Sequence, residues 1–323
     1  MRRLTILGGG SWGTALAIAF AERFEEIALW FHEPDLAREV QQTRENRRYL
    51  PGFRLPDHVR ATTESPPADL LLGVMPSKHA RRVYGAQQIP AGTPILSATK
   101  GLEHGTWKRM SEVIAEIQPG HPVAVLSGPT FAREVARGDP AAVVIASRDE
   151  ALARQLQGAL TTSRFRVYTN TDVIGVELGG ALKNVVAIAA GIVLGLGLGN
   201  NTLAALITRG LAEITRVAVA AGGEARTLAG LAGLGDLVLT CTGELSRNRA
   251  VGRQLAAGRT LPEILSGMTM VAEGVETATA AVALAERLGV EAPICHQLLR
   301  ILDGKLAPAA AIQQLMERSP RDE

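Results

Sequence analysis

A chain of 323 residues with 46% hydrophobic and 20% charged side chains has enough apolar material for two cores, which excludes a disordered chain and favours a ligand cleft between domains. A net charge of +2, with arginines scattered rather than gathered in tracts, argues against a nucleic-acid partner. Two cysteines, Cys241 and Cys295, are too few for a disulfide framework and lack metal-ligand spacing, which fits a reducing cytoplasm.

Met1-Arg2-Arg3 opens an apolar stretch, but Gly8-Gly9-Gly10-Ser11-Trp12-Gly13 interrupts any continuous export signal. The stretch reads as a strand over residues 4–7, a glycine turn, and a helix over 14–21. In that strand-turn-helix setting G-x-G-x-x-G is a dinucleotide fingerprint. Gly8 permits the tight turn, Gly10 lets backbone approach a pyrophosphate, and Gly13 allows close helix packing. The helix start then offers amides to the phosphates of NAD or NADP. A second strand over 27–31 ends at His32-Glu33, where an acid favours NAD and a base accommodates a 2′-phosphate, so both cofactors stay open.

Further strand-like runs follow at 70–74, 94–97, 123–126, 142–146 and 164–168, with helical stretches between several of them. This alternation predicts an α/β Rossmann-type, mainly parallel sheet over residues 1–170. Asn170-Thr171-Asp172 are good helix caps, and from there an all-helical substrate-binding domain is expected over 171–323. The apolar run at 185–199 falls short of the roughly 20 residues that span a bilayer, so it reads as a buried helix with no stable membrane insertion.

Only five of the 34 basic residues are lysines. An ammonium can give up a proton where a guanidinium cannot, so lysines draw attention in an arginine-biased chain. Lys100 follows a predicted parallel strand, where ligands of open α/β sheets gather. Lys183 leans back over a turn bared by Gly179 and Gly180, which leaves room for a small ligand or for a closely packed helix. Farther on, Ser246 reads as an N-cap with Arg247 and Asn248 in the first helical turn. Arginine opposes the helix dipole there unless an anion lies between guanidinium and amides, or unless Arg247 and Arg249 are simply surface residues. Cys241 has no histidine nearby and reads as a small packed residue. The terminal 319–323 reads as a polar tail.

Taken together, Gly8 to Gly13, Ala98-Thr99-Lys100-Gly101, Ser127-Gly128-Pro129-Thr130-Phe131-Ala132, Gly179-Gly180-Ala181-Leu182-Lys183-Asn184, Gly233-Leu234-Gly235-Asp236-Leu237, Thr240-Cys241-Thr242 and Ser246-Arg247-Asn248-Arg249 resemble bacterial NAD(P)-dependent glycerol-3-phosphate dehydrogenase, in order and in spacing. The resemblance implies interconversion of dihydroxyacetone phosphate and sn-glycerol 3-phosphate, which supplies phospholipid synthesis, with NAD(P)H as cofactor; the apolar helical domain favours a homodimer, and the cysteine usage a cytoplasmic location. It aligns Lys183 with the general acid/base, assisted by Asp236. It places Lys100, Gly128, Thr130, Lys183, Asp236, Ser246, Arg247 and Asn248 at the small-molecule phosphate substrate. Gly8, Gly10, Ser11, Trp12, Gly13, His32, Lys100, Ala132, Arg247, Val271 and Glu273 correspond to cofactor contacts; His32 and Trp12 are positions where relatives vary. No metal is implied. A related dehydrogenase of hydroxy acids or sugar acids is the alternative enzyme; a dinucleotide sensor without turnover would give Lys183, Asp236 and Arg247 no joint purpose.

Overall fold

The computed structural model describes residues 1–268 and 272–318, so Val271 and the tail at 319–323 lie outside the described residues. Contacts divide the chain into two compact units, Met1–Glu177 and Leu178–Glu323.

In the first unit β1 (Arg3–Leu7), α1 (Ser11–Ala19), β2 (Glu26–Trp30) and α2 (Pro34–Thr43) alternate. β3 (Val59–Thr62), β4 (Leu70–Gly73), α3 (Ser77–Gly85), β5 (Ile95–Ser97) and α4 (Met110–Ile117) follow. β6 (Val123–Ser127), α5 (Ala132–Arg137), β7 (Ala141–Ala146), α6 (Glu150–Leu160) and β8 (Phe165–Asn170) complete it. The eight described strands form one sheet in the order β3-β2-β1-β4-β5-β6-β7-β8, the reversal at β1 and β4 being the doubly wound switch point. Strand pleating sends alternate side chains to opposite faces: Leu70, Leu72 and Leu96 join the core that holds Leu4 and Ile6, while Leu71 and Ile95 join the one that holds Tyr84 and Ile114. Burial on both faces explains why these strands read as continuous apolar runs.

The mainly parallel sheet is as expected, and three of its details were not read from the sequence. Edge strand β3 was not foreseen, because Val-Arg-Ala-Thr buries only Val59 and Ala61 and leaves Arg60 exposed. α1 begins at Ser11 rather than at residue 14, so the last three fingerprint residues already belong to the helix. β7 runs antiparallel to β6, whereas the other strand neighbours are parallel. An antiparallel neighbour is entered from the end at which its partner finished. The intervening α5 therefore stays at the carboxyl edge of β6, where it packs on α1.

The described residues of the second unit contain helices and no strand. α7 (Val173–Gly195) crosses the division between the units; Asp172 Oδ1 caps its start by accepting from the Gly175 N–H at 2.8 Å. α8 (Asn200–Ala220), α9 (Ala225–Leu228), a π-helical turn (Leu231–Gly235) and α10 (Asp236–Thr242) come next. α11 (Arg247–Ala256), α12 (Leu261–Ser266), α13 (Glu273–Leu288), α14 (Pro293–Leu302) and α15 (Pro308–Met316) follow. α7 starts right after the caps at 170–172, as expected, and joins the apolar run from 185 into one helix of 23 residues, whose length and composition would allow a bilayer crossing. Its most apolar window is nevertheless 83% buried within the protein, as expected of a core helix.

α11 lies on α7 almost backbone to backbone. A Cβ placed at Gly252 would stand 1.9 Å from the Ile188 carbonyl oxygen, and one at Gly191 would stand 2.1 Å from that of Arg249. Glycine is what permits this approach, and it seats the first turn of α11 beside the stretch of α7 that carries Lys183 and Asn184.

Candidate active site

The glycine turn of the first unit follows β1, at the switch point of the sheet. Gly8 has φ +122°, and a Cβ there would lie 2.9 Å from the Val74 carbonyl carbon, so the turn is pressed against the end of β4. At Gly13 an added Cβ would stand 2.0 Å from Gly8 O, whereas at Gly10 it would meet nothing within 4 Å. The first and third glycines thus serve packing, and the second keeps backbone open beside the amides that start α1. Those amides have no partner inside the helix, and the helix dipole favours an anion at that end. The turn is braced by buried Asn46, whose Nδ2 donates to Gly9 O and to Thr14 Oγ1, each at 2.8 Å. Sequence reading gave no signal for Asn46, which stands 32 residues beyond Thr14.

Ser11 Oγ donates to Tyr49 O at 2.5 Å. The indole N–H of Trp12 is buried with no hydrogen-bond partner among the described residues, an arrangement that leaves a donor for a bound group. His32 is exposed just beyond β2, its ring tilted against that of Trp30. Ala132 opens α5 and packs on the larger core of this unit. Open backbone at Gly10, the positive end of α1 and the unpaired Trp12 donor all suit the pyrophosphate and polar edges of a dinucleotide.

Lys100, Gly128 and Thr130 come together although 28 and 30 residues separate them. Lys100 follows β5, and its Nζ donates to Gly128 O at 2.9 Å and to Thr130 Oγ1 at 3.4 Å across the end of β6. This pins a cation at the carboxyl edge of the sheet.

In the second unit Lys183 is buried, and its Nζ donates to Asp236 Oδ1 at 2.5 Å and to Thr240 Oγ1 at 2.8 Å. Asp236 and Thr240 stand one turn apart on α10, and the Thr240 hydroxyl donates to Asp236 O at 2.6 Å. With that proton so placed, the Thr240 oxygen turns its lone pairs to the ammonium. Thr240 was not singled out in the sequence; threonine is too common in helices for its type alone to signal a site. A buried ammonium costs several kcal/mol unless paired, and the adjacent carboxylate supplies that compensation. Gly179, four residues before Lys183, serves close helix packing. A Cβ at Gly179 would lie 2.7 Å from Ala232 O, so close packing of the π-helical turn on α7 is its role, and this contact brings Asp236 to Lys183.

Ser246 caps α11 by accepting from the Arg249 N–H at 3.3 Å. Arg249 is buried, paired with Glu244 and donating to Thr242 O, so it is a structural arginine and not a surface one. Arg247, two residues earlier, is exposed at the surface, yet desolvation pulls its guanidinium below the usual range and outweighs the opposing field of the Glu273 carboxylate at the start of α13. Asn248 is buried and bonds to Asn184 and to the Gly274 N–H. Burial pushes the Cys241 thiol up to about 12, so it carries essentially no thiolate at neutral pH and acts as packing. Val271 lies outside the described residues.

Comparison with known proteins agrees along the whole chain. The family described as NAD-dependent glycerol-3-phosphate dehydrogenase N-terminus matches residues 3–153, and its C-terminus counterpart matches residues 172–313. The glycerol-3-phosphate dehydrogenase (NAD(P)+) of Acidobacterium capsulatum is 51% identical, with 100% of each chain covered. That of Geobacter sp. strain M21 is also 51% identical, over 99% of this chain and 98% of the other. Among solved structures, the glycerol-3-phosphate dehydrogenase of Coxiella burnetii superposes with a TM-score of 0.93 at 42% identity, covering 98% of this chain and 99% of that one.

Proposed function

From the premise that this chain belongs to the NAD-dependent glycerol-3-phosphate dehydrogenase family, we propose how its residues carry out the interconversion of dihydroxyacetone phosphate and sn-glycerol 3-phosphate with NAD(P)H. The observation that carries the mechanism is the buried cluster of Lys183, Asp236 and Thr240. When bound, the reduced nicotinamide supplies a hydride to the ketone carbon.

Lys183, held as an ammonium by Asp236, polarises the carbonyl and gives its proton to the oxygen as negative charge develops there. In the reverse direction it accepts the proton of the secondary alcohol. Thr240 fixes the direction of the ammonium and Asp236 keeps it charged. Arg247 and the amides that start α11 grip the phosphate, with Ser246 and the second Nδ2 hydrogen of Asn248 beside them. Lys100, Gly128 and Thr130 are further substrate contacts in this reading. Gly8, Gly10, Ser11, Trp12, Gly13, His32 and Ala132 hold the dinucleotide, together with Lys100, Arg247, Val271 and Glu273.

The product supplies the glycerol phosphate backbone of phospholipids, the enzyme works in the cytoplasm, and two copies form a homodimer. A hydroxy-acid or sugar-acid dehydrogenase is the less favoured reading, because relatives 51% identical over the full chain carry the glycerol-3-phosphate dehydrogenase name. Loss of NADH or NADPH absorbance with dihydroxyacetone phosphate tests the proposal. Lys183→Ala is expected to lose at least about a thousandfold in kcat while still binding the cofactor, within the range usual for positioned acid/base groups with their electrostatic role added. Unphosphorylated dihydroxyacetone should turn over poorly. Near-native turnover by Lys183→Ala would remove the lysine from the chemistry.

A further inference from the structure

Three residues assigned above to the reaction are each followed in the chain by a member of one buried hydrogen-bond relay. Lys183 precedes Asn184, Arg247 precedes Asn248, and Glu273 precedes Gly274. Asn248 Nδ2 donates to Asn184 Oδ1 at 2.9 Å, and Asn248 Oδ1 accepts from the Gly274 N–H at 3.0 Å. Both asparagines are buried. A Cβ at Gly274 would lie 2.5 Å from Asn184 O and 2.8 Å from Asn248 Oδ1, so the start of α13 rests directly on α7 and on the Asn248 amide.

The relay is directional. Turning the Asn248 amide over would set its NH2 against the Gly274 N–H and its oxygen against Asn184 Oδ1, losing both bonds. Successive helical residues point about 100° apart. One turn of α7 therefore directs Lys183 to α10 and Asn184 to α11, so the acid/base cluster and the relay share a single ruler.

We infer that Asn184 is a positioning residue: through Asn248 and the Gly274 backbone it fixes the anion-gripping start of α11 and the start of α13 at a set offset from Lys183. The phosphate grip of Arg247 and the cofactor contact of Glu273 are then adjusted together. This inference rests on the reading of the site given under Proposed function. Breaking the relay leaves the bonds of Lys183 to Asp236 and Thr240 in place but loosens both neighbours, so substrate KM and cofactor Kd should rise in parallel with little change in kcat.

The test compares wild type with Asn184→Leu, Asn184→Asp and Leu298→Ala, measuring KM and kcat with dihydroxyacetone phosphate and the Kd of the reduced cofactor by fluorescence titration. Leu298 is a buried packing residue of α14 and controls for lost stability. Asn184→Leu should raise both KM and Kd by roughly tenfold, as expected when a buried amide loses its partner, and should leave kcat within about threefold. Asn184→Asp retains the acceptor for Asn248 Nδ2 and should recover most of the affinity. Leu298→Ala should lower the melting temperature and move neither constant.

A lowered melting temperature without the paired rise in Asn184→Leu overturns the inference, as does equal impairment of the Asp variant or an equal rise in Leu298→Ala. Should Asn184→Leu fail to fold, Asn184→Ser, whose hydroxyl falls short of Asn248, takes its place under the same criteria. Absent turnover in wild type would count against the substrate reading alone; the cofactor titration would still decide the relay.

Discussion

Glu213 offers a test of the helical unit that is independent of turnover. It lies on α8, is 2% exposed, and its carboxylate accepts from the Ile294 N–H at 2.7 Å and the Cys295 N–H at 3.3 Å, closing the start of α14. Those two bonds favour the anion, but burial outweighs them and pushes the carboxyl from 4.5 up to about 7. The folded state therefore holds this proton more tightly than the unfolded state does. Its stabilising contribution is complete below about pH 4.5 and is lost as pH rises through about 7. A tenfold change in an acid constant is worth about 1.4 kcal/mol, so the loss amounts to about 3 kcal/mol. Glu213→Gln keeps an acceptor for the helix start and stays neutral throughout. Urea unfolding of both proteins, followed by helical circular dichroism from about pH 5 to about pH 9, should show the stability of wild type relative to the variant falling by about 3 kcal/mol. Parallel curves, or a difference that grows with pH, would refute the burial argument.

The seam between α7 and α11 predicts that Gly252→Ala, whose new Cβ would stand 1.9 Å from Ile188 O, destabilises by at least about 3 kcal/mol, the upper end of ordinary overpacking. Gly267→Ala, with no atom nearer than 3.7 Å, should change the urea midpoint little, and similar effects of the two would deny the seam. Arg247→Ala should raise KM for dihydroxyacetone phosphate by roughly 10- to 150-fold, the equivalent of one lost charged hydrogen bond, and should affect unphosphorylated dihydroxyacetone far less. An unchanged KM would remove Arg247 from the phosphate grip.

How far the fold was legible follows from which residues carry it. Strands buried on both faces, such as Leu70–Gly73, announce themselves as apolar runs, and Gly8 to Gly13 marks the switch point because its spacing is fixed by steric demands. Edge strand Val59–Thr62 buries half of its side chains and is too short to show a period. The reversal at Ala141–Ala146 has no local signature, since direction is set by where α5 can pack. The start of α7 was readable from Asp172, yet its full length was not: Gly179, Gly191 and Gly195 look like helix breakers until a Cβ added at each is seen to come within 3 Å of another segment.

The same logic separates the parts of the site. Lys183 stood out because lysine is rare in this chain and because its neighbours form a family motif, but its partner Thr240 is ordinary in type and becomes significant only when one turn of α10 sets it beside Asp236. Asn184 and Asn248 fell inside the motifs without a stated division of labour. The structure separates Asn248, turned inward to Asn184 and Gly274, from exposed Arg247 beside it. Neighbouring residues on one helix thus differ in role, Arg247 standing at the surface and Asn248 tying the helix start to α7 and α13. A motif several residues long therefore mixes groups that touch substrate with groups that fix its geometry, and spacing alone cannot sort them; only the partner of each polar atom can.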